Sequence, residues 1–152
     1  MLVADWLKQQ GASHLILLGR SGVQKENAAQ IAEIEQSGTS VTIMPADVSN
    51  QTQMTKVFSY IKENHPPLRG IIHAAGVLDD GLIQQQTWQR FTKVMAPKVQ
   101  GAWNLHHLSK DESLDFFVMF SSSASLLGAP GQGNYAAANA FLDALASYRR
   151  SQ

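Results

Sequence analysis

One stretch limits what this chain can become. It runs Phe116-Phe117-Val118-Met119-Phe120, then Ser121-Ser122-Ser123, then a loop through Gly128, Pro130, Gly131 and Gly133, then Tyr135-Ala136-Ala137-Ala138-Asn139. A wholly apolar run that ends in small polar residues reads as a buried parallel strand. The loop is made of turn formers, and the alanines after Tyr135 favour a helix. Tyr135 and Asn139 are four apart and share one helix face. The layout sets hydroxyls at a strand's C-terminal end and a phenol on the next helix. In open parallel sheets that edge is where ligands bind.

A free phenol, with a pKa of about 10, exchanges protons poorly near neutral pH. A nearby ammonium stabilises the phenolate and brings it closer to the working range, and a neighbouring hydroxyl can hold a carbonyl oxygen. Lys98 is a candidate for the ammonium. On these residues alone, a serine-rich turn and a helix whose tyrosine packs on its neighbours fits equally well, because hydroxyls between strand and helix also serve as caps.

The rest of the chain alternates in type. Leu2 to Gln10 reads as a helix with Leu2, Val3, Trp6 and Leu7 on one side, stopped at Gly11. His14 to Leu18 is a short strand closed by Gly19-Arg20-Ser21-Gly22. A helix from about Lys25 to Gln36 follows, with Ile31 and Ile34 as core positions. Val41 to Met44 is the next strand. Ser49 or Asn50 caps a helix whose inner face carries Met54, Val57, Phe58 and Ile61, and His65-Pro66-Pro67 breaks it. Gly70 to His73 is the third strand, ending in Ala74-Ala75-Gly76. A helical region spans about Trp88 to Leu108, with Pro97 as a kink or restart. Phe116 to Phe120 is the fourth strand, and a last helix begins near Asn134 with Phe141, Leu142, Leu145 and Tyr148. Strands alternating with helices imply an α/β fold with a parallel sheet. The small and polar strand ends would line one edge, the geometry of a dinucleotide site.

With 152 residues the chain is one domain or part of one, and 12 basic against 12 acidic residues leave no net charge to suggest a nucleic-acid surface. There are no cysteines for disulfides or thiolate metal sites, which fits a cytoplasmic setting. No apolar run reaches the roughly 20 residues of a membrane span. No histidine–carboxylate spacing reads as a metal site.

The residue blocks resemble the ketoreductase domain of modular polyketide synthases, a branch of the short-chain dehydrogenase/reductase superfamily. The likeness is carried by His14 to Gly22, Ala46-Asp47-Val48-Ser49, Gly70 to Asp80, Pro97 to Leu105, and Phe120 to Asp143, in that order. It covers residues 1–152 as a partial ketoreductase domain of Rossmann-like, doubly wound form. It implies NADPH-dependent reduction of a β-ketoacyl thioester, tethered to an acyl carrier protein, by one domain of a larger synthase. Tyr135 would be the general acid, and Ser122, thirteen residues earlier, would bind the ketone oxygen. Lys98 would tune the tyrosine and contact the nicotinamide ribose, and Asn139 completes the set. Most short-chain dehydrogenases exchange the residue types at 98 and 139. Arg20 and Ser21 resemble the pair that takes the adenosine 2′-phosphate, a task suited to a guanidinium fork. Asp47 and Val48 would flank adenine, and Ala74, Ala75 and Gly76 would admit the ribose. Leu78-Asp79-Asp80, with Pro130 and Asn134, matches the B-type pattern, which gives a D-configured hydroxyl; Leu127 stands where A-type members have tryptophan.

Plainer readings stand beside these. Arg20 could be a solvated loop charge, and Asp79-Asp80 a turn or cap. His73 reads as strand-end packing, and Trp6, Trp88 and Trp103 as core or interface. His106 and His107 lie near a helix C-terminus, where positive charge is favoured. The family pattern also includes a first strand with a glycine-rich phosphate loop, and last strands with a lid, that this sequence does not show. An incomplete sheet is expected, with strand edges at Leu15–Leu18 and Ile71–His73 unpaired. Poor folding or poor NADPH binding by these 152 residues alone is expected with it. A non-catalytic scaffold piece of a megasynthase is the alternative function.

Overall fold

A computed structural model describes residues 1–22 and 27–152. They form an α/β, Rossmann-like arrangement in two compact units, Met1–Asp47 and Val48–Gln152.

In the first unit, α1 (Leu2–Gln9) leads into β1 (His14–Gly19), and α2 (Ala28–Gln36) into β2 (Ser40–Pro45). β1 and β2 pair in parallel, with Leu15 opposite Val41 and Leu17 opposite Ile43. Ala4, Leu15 and Ile34 make the core, with Leu7, Leu17 and Val41 packed against them. Ile31 is buried as its helical position requires. The expected start of α2 at Lys25 lies outside the described residues. The amphipathic reading of α1 needs correcting: Ala4 is buried, whereas Leu2 and Trp6 are 88% and 53% exposed. Of the residues expected on the inner side, Leu7 does pack against this core.

The second unit runs α3 (Gln51–Asn64), β3 (Gly70–His73), a 3₁₀ turn (Ile83–Gln85), α4 (Trp88–Met95), a π-helical turn (Ala96–Gln100) and α5 (Gly101–Leu108). β4 (Phe116–Met119), α6 (Ala124–Leu127) and α7 (Gly133–Ser151) complete it. Asn50 caps α3, its Oδ1 accepting from the Gln53 amide at 3.0 Å. Met54, Val57 and Ile61 are buried along the inner face. β3 and β4 pair in parallel, Ile71 opposite Phe117 and His73 opposite Met119. Met119 and Phe141 pack on Ala102, Leu142 and Leu145, so α5 and α7 cover one face of β4.

The other face of β4 is open, with Phe116, Val118 and Phe120 at 40–48% exposure. A continuous apolar run marks a strand but does not say that both its faces are covered. Trp88 and Trp103 are likewise exposed, which rules out the core half of their expected core or interface role. No described helix is long and apolar enough to cross a membrane.

Pro97 lies in a π turn, and regular α-helix resumes at Gly101. Proline lacks an N–H and its ring crowds the preceding turn, and the ladder widens around it: the Gly101 amide reaches back five residues to the Ala96 carbonyl. Such single π turns occur frequently at functional sites. Gly101, just after the turn, is buried, and a Cβ there would lie 2.7 Å from Val48 Cγ1. Val48 is β-branched and stiff. Gly101→Ala should therefore destabilise the protein by about 1–3 kcal/mol, against the roughly 1 kcal/mol alanine gains as a helix former. In urea unfolding, Gly101→Ala combined with Val48→Ala should lose less than the two single losses added.

Candidate active site

The second unit brings Lys98, Ser122, Tyr135 and Asn139 onto neighbouring elements: the π turn, the end of β4 and the first turns of α7. Lys98 is buried at 5% exposure. Its ammonium donates to the Phe120 carbonyl at 2.9 Å and lies 5.3 Å from the centre of the Tyr135 ring. That acceptor is a carbonyl rather than a carboxylate, and burial pushes the ammonium below its ordinary pKa.

Two neighbours fix Lys98. A Cβ on Gly76 would lie 3.2 Å from Lys98 Cε, so glycine at 76 gives the lysine stem its room. His73, buried at the end of β3, bonds through Nε2 to the Pro97 carbonyl at 3.0 Å. A carbonyl only accepts, so Nε2 carries the proton. His73 thereby ties β3 to the turn that carries Lys98, a role beyond packing that its burial pattern in the sequence did not show.

Asn139 is fully buried. Its amide donates to the Tyr135 carbonyl at 2.8 Å, the i−4 position on α7. Its Oδ1 accepts nothing from the described residues. Ser121 donates to the Asn139 carbonyl at 3.3 Å, which turns that serine toward the helix backbone. Ser122 Oγ accepts from the Ala124 amide at 3.2 Å. It braces the first turn of α6 as a cap would, and its hydroxyl proton stays available to a further acceptor.

The loop after β3 meets the loop before α7. The Asn134 amide donates to the Asp79 carbonyl at 2.9 Å, and Asn134 Oδ1 accepts from the Tyr135 amide at 2.8 Å. Gln132 donates to the Asp80 carboxylate at 2.8 Å. The Asp79 carboxylate is held by Lys93 at 2.8 Å and Arg90 at 2.7 Å, and these partners keep it below the usual carboxylate range. Neither Lys93 nor Arg90 was marked by the sequence, since a helix-face cation looks the same whether solvated or paired. Leu78 and Pro130 are exposed.

Of the expected cofactor residues, Ala74, Ala75 and Gly76 are exposed at the end of β3, and Val48 is half-buried against Gly101. In the first unit, Arg20 and Ser21 are exposed in the turn after β1, which the Gly22 amide closes onto the Gly19 carbonyl at 3.2 Å. Asp47 follows β2 and is half-buried.

One expectation fails. His106 does not favour a charge at the end of α5. Partial burial, the Arg149 charge and nearby basic groups push its pKa down. Arg149 lies 2.8 Å from His106 Nδ1 and 3.9 Å over the Phe117 ring. Arginine can only donate, so Nδ1 is the acceptor of a neutral ring.

These features define an α/β, Rossmann-like protein with a lysine, serine, tyrosine and asparagine set at the end of a parallel strand. The KR domain family profile matches residues 1–152, and the chain belongs to that family. It is 42% identical over 152 residues to the phenolphthiocerol synthesis polyketide synthase type I Pks15/1 of Mycobacterium marinum, covering 99% of this chain and 7% of that protein. Among solved structures it resembles a ketoreductase domain from the bacillaene assembly line (TM-score 0.94, 39% identity, 99% of this chain and 36% of that one). It also resembles an A-type ketoreductase from a modular polyketide synthase (TM-score 0.92, 42% identity, 99% and 32%). The chain thus spans a small part of the synthase and about a third of each solved chain.

His73 is also held below its ordinary pKa, by burial first, with the bond to Pro97 opposing and the charge of Lys98 adding. A histidine favoured neutral in the fold is protonated more readily in the unfolded chain. Its stabilisation is complete above the unfolded value of about 6.5 and is lost as the pH falls below it. Urea unfolding should show stability declining below that pH, and His73→Gln, which keeps a donor but cannot titrate, should flatten part of the slope.

Proposed function

We propose that this chain catalyses NADPH-dependent reduction of a β-ketoacyl thioester, carried on an acyl carrier protein, to the β-hydroxyacyl thioester within a polyketide synthase. The observation that carries the reading is the buried Lys98 ammonium facing the Tyr135 ring, with Ser122 and Asn139 on the adjoining strand end and helix.

The residues divide the work by their hydrogen-bonding capacity. Tyr135 gives its proton to the ketone oxygen. Ser122 has its oxygen occupied by the Ala124 amide and so offers its own proton to that same oxygen. As negative charge forms on the phenol oxygen, the nearby ammonium stabilises it in a site that water screens poorly. Asn139 fixes the backbone of Tyr135 through its amide.

The residues suit a reduced nicotinamide dinucleotide. Lys98 has donors beyond the one given to Phe120, and Asn139 Oδ1 is an acceptor with no described donor; a ribose hydroxyl pair matches such groups. Ala74 and Ala75 offer small side chains where a sugar must approach. Arg20 and Ser21 are assigned to a 2′-phosphate, and Asp47 and Val48 to adenine. When bound, the cofactor supplies the hydride that reaches the β-carbon. The B-type reading, with a D-configured hydroxyl, rests on Leu78-Asp79-Asp80, Pro130 and Asn134. Backbone likeness does not separate the types, since an A-type structure is as similar as the others.

In the full native polypeptide, NADPH should be oxidised by a β-ketoacyl thioester. Tyr135→Phe should lower kcat by about 10²–10⁴-fold while leaving NADPH binding in place. NADPH binding with no turnover in the unaltered protein would favour the scaffold role instead.

A further inference from the structure

We propose that Arg90 is a positioning residue for the reduction, bracing residues 79–86 so that they set the start of α7 and, with it, Tyr135. The inference rests on the function proposed above for its catalytic meaning, but the brace itself is a matter of geometry.

Arg90 sits in the first turns of α4, eight residues before Lys98. Its guanidinium serves three acceptors on one loop. Nε donates to Asp79 Oδ1 at 2.7 Å, Nη2 to the Asp80 carbonyl, and Nη1 to the Gln85 carbonyl at 3.3 Å. Gln86 closes the same loop by donating to the Gly81 carbonyl at 3.0 Å. The fork lies so close under Gly81 that a Cβ there would be 2.5 Å from Arg90 Nη1. Residue 81 must therefore stay glycine for the guanidinium to occupy this place.

The braced loop is then joined to the segment before the tyrosine at three points. The Gly81 amide donates to the Gly131 carbonyl at 2.8 Å, Gln132 bonds Asp80, and Asn134 bonds the Asp79 carbonyl. Asn134 is fully buried and takes the Tyr135 amide on its other side. Arg90 is linked through these bonds to the backbone of Tyr135 without touching the tyrosine. The same helix continues through the π turn to Lys98. One helical run therefore carries both the ammonium and the group that braces the phenol's helix.

Lys93 shares the Asp79 carboxylate but contributes differently. Its side chain is 61% exposed, against 28% for Arg90, and among the described residues its ammonium bonds the carboxylate alone. A lysine at 90 would keep the charge and lose the fork that spans three acceptors. This separates a positioning role from simple charge neutralisation.

The test uses Arg90→Met, Arg90→Lys and Lys93→Met in the full native polypeptide. Hydrogen–deuterium exchange should quicken in residues 79–86 and also in 131–135 for both Arg90 variants, and stay unchanged in 131–135 for Lys93→Met. With a β-ketoacyl thioester, both Arg90 variants should lose roughly tenfold to a hundredfold in kcat, with KM little moved. The ratio of the two alcohol configurations should also shift toward equality. Unchanged exchange at 131–135 in Arg90→Met would overturn the brace, as would full kcat and stereochemistry in an active protein, or recovery of both by Arg90→Lys. Altered exchange at 131–135 in a protein whose unaltered form never reduces the thioester would uphold the brace and reject the proposed function. Arg90→Lys, the milder change, carries the measurement if Arg90→Met fails to fold.

Discussion

The ammonium of Lys98 is taken out of water without a carboxylate among the described residues to receive it. Such a group is costly to bury, and the cost falls on whatever holds it in place. Here it is met by one backbone carbonyl and the face of one aromatic ring. Several other features follow from that need. The strand end must offer Phe120's oxygen, Gly76 must leave room for the stem, and His73 must pin the Pro97 carbonyl so that the turn presents the lysine inward. A tyrosine above such a cation sits beside a charge that protein groups, rather than solvent, have fixed in direction.

The Tyr135 end of α7 is held by side-chain bonds to its backbone rather than by bulk. Asn139 bonds one turn back to Tyr135, Asn134 caps the Tyr135 amide, and Ser121 bonds the Asn139 carbonyl. Only the Asn134 Oδ1 accepts from a first-turn amide, which has no partner within the helix; Asn139 and Ser121 donate to carbonyls of the helix instead. At the far end of α7, Arg149 joins His106 on α5 to Phe117 on β4. The helix is thus fixed at both ends by directional contacts, with Leu142 and Leu145 supplying the apolar contact between them.

The elements were legible because strands and helices repeat with different periods. Gly70–His73 and the inner face of α3 follow directly from the residue types. The spacing of Tyr135 and Asn139 is local and could be read. The meeting of Lys98 with Tyr135 links positions far apart in the chain, and only the family pattern pointed to it. Exposure was the weaker reading. Leu2, Trp6, Trp88 and one face of β4 are apolar but open, because hydrophobicity says what burial would gain and not whether a neighbour is there. Asp79 looked like a turn residue or a selector of stereochemistry. Its ion partners lie on α4, and nothing in the spacing distinguishes Arg90 from an ordinary solvated charge.

The π turn at Ala96–Gln100 acts as one residue more than a regular helix would hold over the same length. Each residue of an α-helix turns the chain by about 100°, so this surplus sets the phase between Val94 before it and Ala102 and Leu105 after it, all three buried. Sequence change in this segment is therefore governed by count as well as by kind. Exchanging one side chain for another alters a contact, whereas losing one residue would let the ladder close into an ordinary helix and rotate the whole of α5 against α4. Either the apolar face or the lysine would then point the wrong way. The segment's length is as much a part of the site as its lysine.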